Sequence, residues 1–98
     1  MKIEYADPKL ERLERERDFT AGFAEAIVRA FRQRIAFIRA AKDERDFYAM
    51  KSWHFEKYKD RQPPEWSIRL NDQYRLFAAF RKEAGGNVVI VLRVCDPH

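Results

Sequence analysis

The run Trp66-Ser67-Ile68-Arg69-Leu70-Asn71-Asp72-Gln73-Tyr74-Arg75-Leu76-Phe77-Ala78-Ala79-Phe80-Arg81 decides the fold. Trp66, Ile68 and Leu70 alternate with Ser67, Arg69 and Asn71, the period of two that a strand needs to turn one apolar face inward. Asn71-Asp72-Gln73 is a turn, because Asn and Asp side chains bond to their own backbone. Tyr74, Leu76, Ala78 and Phe80 then alternate with Arg75, Phe77, Ala79 and Arg81, giving a second strand. Gly85-Gly86-Asn87 signals another turn. Residues 88–95 are nearly continuous apolar and β-branched, the pattern of a strand covered on both faces. An antiparallel three-stranded meander follows.

Upstream the period changes. Residues 51–64 mix aromatics with bases and stop at Pro63-Pro64, which ends regular structure. Residues 43–50 predict a short helical turn. From Gly22 to about Lys42, Phe23, Ile27, Phe31, Ile35 and Ile38 recur at spacings of four and three, the core stripe of an amphipathic helix. Glu25, Arg29, Arg32, Gln33 and Arg39 fall on its other side, and Thr20 is a candidate cap. Asp7-Pro8 starts an earlier helix, with Asp as cap and Pro in the first turn. In it Leu10 and Leu13 share a face, and Glu11 pairs with Arg15 at i,i+4. Lys2 to Tyr5 is a short opening strand. The expectation is one α+β domain over residues 1–98, with N-terminal helices packed on a small, mainly antiparallel sheet.

Composition limits the classes. The chain has 98 residues, 46% of them hydrophobic, enough apolar matter for a core. One cysteine excludes an internal disulfide and a cysteine-based zinc site, and fits a reducing compartment such as the cytoplasm. The longest apolar run, Val88 to Leu92, is far short of the roughly 20 residues of a membrane span, and the charged opening residues do not read as a signal peptide. No phosphate-binding glycine loop, dinucleotide fingerprint, zinc-protease pair or nucleophile elbow is present, and no metal or cofactor is expected. The net charge is +4; the part of it useful for an anionic partner such as RNA is local, at Lys51, Lys57, Lys59, Arg61, Arg69 and Arg75.

One cluster of chemically useful residues remains. His54 and Lys57 stand three apart in the basic-aromatic segment, and Asp96 and His98 end the last strand. Hairpin geometry brings the end of that strand beside Arg75. Histidine exchanges protons near neutral pH, and Arg or Lys neutralises the charge that builds on an attacked phosphate. The set therefore suits phosphodiester cleavage by acid–base chemistry without metal. Taken singly, each member also fits a packed or solvated role: His54 between Trp53 and Phe55 as a half-buried ring, Lys57 and Arg69 as surface charges, Cys95 as a small hydrophobe.

Met50-Lys51-Ser52-Trp53-His54-Phe55-Glu56-Lys57, the string Ser67-Ile68-Arg69-Leu70-Asn71-Asp72-Gln73-Tyr74-Arg75 and the ending Asp96-Pro97-His98 together resemble the HigB branch of the RelE/ParE toxin superfamily. The resemblance covers residues 48–98 and implies a compact RelE-like fold. It implies a ribosome-dependent mRNA endonuclease that halts translation, neutralised by a HigA-like helix-turn-helix antitoxin. By position, His54, Lys57, Asp96 and His98 match the family's catalytic residues and Arg75 its strand arginine; Arg69 matches the arginine of the Ser-Ile-Arg string. Lys51, Lys59, Arg61 and Arg69 are the expected RNA-binding bases. The chain departs from the family at Pro97, where tyrosine is usual, and in a longer loop over residues 58–65. The rival expectation is a non-catalytic binding protein of the same fold, a gyrase poison or a degenerate toxin held by its antitoxin.

Overall fold

A computed structural model describes residues 1–97. The chain runs β1 (Lys2–Tyr5), α1 (Pro8–Arg15), α2 (Glu25–Ala40), α3 (Arg45–Tyr48), a single 3-10 turn (Lys51–Trp53), β2 (Glu56–Tyr58), β3 (Glu65–Arg69), β4 (Arg75–Glu83) and β5 (Gly86–Cys95). One sheet takes the order β1-β5-β4-β3-β2, with β1 parallel to β5 and every other neighbour antiparallel. The fold is thus α+β with a mixed, mainly antiparallel sheet, as expected, and the expected opening strand joins it as β1 beside β5.

The helices begin and end for local reasons. The Asp7 carboxylate accepts from the Lys9 amide at 2.9 Å, and Pro8 occupies the first helical position of α1. At the other end of α1, Arg32 donates from Nε to the Leu13 carbonyl at 2.9 Å and from Nη2 to the carbonyls of Glu16, Arg17 and Phe19. The second helix starts at Glu25, not at Gly22 as the periodicity predicts. Ala21 (φ 51°) and Gly22 (φ 83°) adopt left-handed backbone, which a right-handed helix cannot continue. Thr20 accepts from the Gly22 amide inside that turn and does not cap α2.

The core lies between the helices and one face of the sheet. Leu10 and Leu13 of α1 and Ile27, Phe31, Ile35 and Ile38 of α2 pack with Ile3, Ile68, Leu76, Ala78, Val89 and Val91. Each fully buried aliphatic or aromatic side chain here contributes roughly 1.5–3 kcal/mol. In β5 the register slips: Phe77 faces Arg93, yet Ala78 faces Val91, so Leu92 is an extra residue. The bulge resets the alternation. Val91 and Val94 both reach the core, and Arg93 and Cys95 turn to the opposite face beside Phe77 and Arg75.

Among the described residues no helix packs on that opposite face, yet Phe77 is 1% exposed there. Side chains close over it. The Tyr58 ring lies 5.5 Å away, and the guanidinium groups of Arg61 and Arg93 sit 5.3 and 4.7 Å above the ring. Glu65 accepts from both arginines at 2.5 Å. The Arg93 bond, the larger effect, and the Arg61 bond hold its carboxyl below the usual carboxylate range.

Candidate functional site

Trp53 and His54 are neighbours with opposite surroundings. The Trp53 side chain is buried, its ring 4.9 Å from Phe37 and 5.5 Å from Phe47. His54 follows it in left-handed backbone (φ 46°, ψ 51°) and is exposed. Such a conformation is uncommon for a residue with a Cβ and needs support from its neighbours. Two hydrogen bonds supply it. The His54 amide donates to the Lys51 carbonyl at 3.2 Å, and the His54 carbonyl accepts from Arg75 Nη2 at 2.6 Å.

Arg75 is the hinge-pin of the site. It opens β4, and its Nε donates to Ser67 Oγ at 2.8 Å on β3. One planar guanidinium thereby ties the His54 turn to two strands, and its Nη1 makes no bond among the described residues. In register, Arg75 stands opposite Arg69 on one side and Cys95 on the other. Asp96 follows Cys95, so the end of β5 does arrive beside Arg75, as hairpin geometry requires. His98 lies outside the described residues.

Lys57 takes the other side of the pleat. It pairs with Trp66, and its ammonium lies 5.1 Å above that indole ring, close enough for cation–π attraction. Trp66 in turn pairs with Ala78 of the core face, whereas Ser67 and Arg75 belong to the opposite face. Lys57 and Arg75 therefore flank the start of β2 from opposite faces, with His54 two residues before that strand. Of the expected RNA-binding bases, Lys51 and Lys59 are exposed. Arg61 is held on the sheet by Glu65, Tyr58 and Phe77, and Arg69 is ion-paired with Asp72. Among the described residues no group of three His, Cys, Asp or Glu side chains is placed to hold a metal ion. No helix among them is long and apolar enough to cross a membrane.

Two contributors escape a sequence reading. Ser67 falls on the polar phase of β3, where a solvated side chain is expected, yet it is 0% exposed and serves as Arg75's acceptor. Arg34, beside the apolar stripe of α2, reaches across to the end of β3 and donates to the Arg69 carbonyl from Nε (3.3 Å) and Nη2 (3.2 Å). Only its place next to Ile35 hints at this.

Helices packed on a small mixed sheet make an α+β fold consistent with RelE-like toxins. The chain belongs to the HigB-like toxin family, described as the RelE-like toxin of the type II toxin–antitoxin system HigB, which it matches over residues 3–98. It is therefore a toxin of a type II toxin–antitoxin system, and an antitoxin is its partner. No curated protein and no solved structure gives a significant match.

Proposed function

We propose that this toxin is an endoribonuclease that cuts mRNA on the ribosome by acid–base chemistry without a metal. The observation that carries the proposal is the hydrogen bond from Arg75 to the His54 carbonyl, which ties the turn bearing an exposed histidine to a guanidinium beside the end of β5, where Asp96 follows. His54 accepts the proton of the RNA 2′-hydroxyl as that oxygen attacks the adjacent phosphorus. Arg75 and Lys57 neutralise the charge that accumulates on the phosphorane oxygens. His98 donates a proton to the leaving 5′-oxygen, so the products are a 2′,3′-cyclic phosphate and a 5′-hydroxyl end. Asp96 orients a histidine. Lys51, Lys59 and Arg69 contact the RNA backbone, with Arg61 in reserve behind its Glu65 pair. The toxin acts in the cytoplasm and is neutralised by a HigA-like helix-turn-helix antitoxin.

Cell-free translation with primer extension on the message tests this. Wild type leaves discrete cuts within the reading frame. His54→Ala and His98→Ala each lower the cutting rate by about 100-fold or more, the usual yield of one proton-transfer group. Uncut message with wild type, or equal cutting by the His98 variant, overturns the assignment. A second reading rests on Pro97, which stands where the family resemblance has tyrosine and offers neither hydroxyl nor flat ring. It makes the chain a non-catalytic binding protein, a gyrase poison or a degenerate toxin held by its antitoxin. Growth arrest with intact message selects the gyrase poison, and unaffected growth with intact message selects the degenerate toxin.

A further inference from the structure

Arg34 is a half-buried cation that pairs with no carboxylate among the described residues. Among the described residues its guanidinium bonds to the Arg69 carbonyl alone, and it lies 5.6 Å from the Trp53 ring. Removal from water, and then the nearby charge of Arg69, hold its pKa below the ordinary arginine value. Arg69 is cross-strand from Arg75, and like charges placed so repel. The acid paired with Arg69 is Asp72, whose side chain is 98% exposed in the β3–β4 turn. An ion pair so exposed to water is weak and exchangeable. Three guanidinium groups thus gather at one end of the sheet, from α2, β3 and β4, with a counter-ion that is easily displaced.

A planar guanidinium fork matches phosphate oxygens, and a charge already taken out of water gains most from an arriving anion. We propose that Arg34 and Arg69 form a second phosphate subsite, which takes the RNA phosphate adjacent to the one at Arg75, and that Asp72 occupies Arg69 until that phosphate displaces it. The subsite rests on the nuclease reading for its substrate and deepens it by naming a backbone contact outside the reacting atoms. Arg34 lies beside Trp53 and Arg75 beside His54, so an RNA strand held by both crosses the histidine turn.

The probe is a short 2′-O-methyl RNA, which lacks the attacking hydroxyl and is not cut. Its binding to the intact chain is read by fluorescence anisotropy over a salt series. Arg34→Gln weakens binding several-fold and flattens the slope of log affinity against log salt by about 0.7, the release expected for one single-strand phosphate contact. Asp72→Asn tightens binding several-fold, while Asp18→Asn, another exposed acid, in the α1–α2 connection, does not. Unchanged affinity and slope in a folded Arg34→Gln chain overturn the subsite, as does a lowered melting temperature with an unchanged slope. So do equal effects of the two aspartate variants, or no binding by wild type at low salt. Should Arg34→Gln fail to fold, the aspartate pair decides alone. Cleavage by His54→Ala is a separate measurement, so loss of the subsite and loss of the nuclease reading are told apart.

Discussion

His54 bears two demands that conflict in most residues: an exposed imidazole and a left-handed backbone. Left-handed backbone costs a residue with a Cβ about 1–2 kcal/mol, which glycine avoids at some loss of chain entropy. The Arg75 bond to the carbonyl and the burial of Trp53 keep the turn in place against that cost. His54→Gly is therefore expected to be more stable than His54→Ala by roughly 0.5–1 kcal/mol in urea unfolding, although both lack the imidazole. Equal midpoints would show that the turn holds no strain. On the proposed mechanism both variants lose the proton-transfer group, so the stability difference between them reads the backbone alone.

At the scale of elements, the C-terminus of α1 depends on one side chain from α2. Arg32 brings four N–H···O contacts to the carbonyl of Leu13 in the last turn, of the cap residue Glu16, and of Arg17 and Phe19 just beyond it. Arg32→Ala should cost about 2 kcal/mol in urea unfolding, with lysine restoring only part of it, because an ammonium lacks the fork. By contrast Arg29→Ala, which breaks an exposed pair with Glu25, should change stability by less than about 0.5 kcal/mol. The elements also show where sequence suffices. Asp7-Pro8, the α2 stripe and the alternation in β3 and β4 are local signals, and each announces its element, although α2 starts at Glu25 rather than at Gly22. The strand β2 is only three residues long and exists through its pairing with β3, so nothing within it announces a strand. The bulge at Leu92 lies in an apolar run without phase, so its alternation gives no warning of the reset. The same limit governs the site. Arg75 beside the end of β5 follows from hairpin geometry, whereas the burial of Ser67, the reach of Arg34 and the face taken by Lys57 depend on packing between distant segments.

Across the whole molecule, ion pairs lace together segments far apart in the chain. Arg39 of α2 donates to Glu14 of α1 at 2.6 and 2.8 Å, and the Tyr5 hydroxyl of β1 donates to the same carboxylate at 2.6 Å. The Arg39 bond, the larger cause, holds the Glu14 carboxyl below its ordinary value of 4.5. Its contribution is complete above that value and is lost as pH falls through the lowered one. Tyr5 moves the other way: burial first, then its bond to Glu14, push the phenol above its ordinary value of 10.0. That contribution is complete below the ordinary value and is lost as pH rises through the raised one. A thermal midpoint measured against pH should therefore fall at both extremes. Glu14→Gln should lower the plateau and make the acid limb shallower; an acid limb as steep as that of wild type would remove Glu14 from the account. The two tryptophans give the molecule its own optical labels. Trp53 lies in the core directly before His54, and Trp66 lies beneath the Lys57 ammonium. One indole emits from the packed interior and the other from under the cation of the candidate site, so unfolding and occupancy of that site have separate built-in fluorophores.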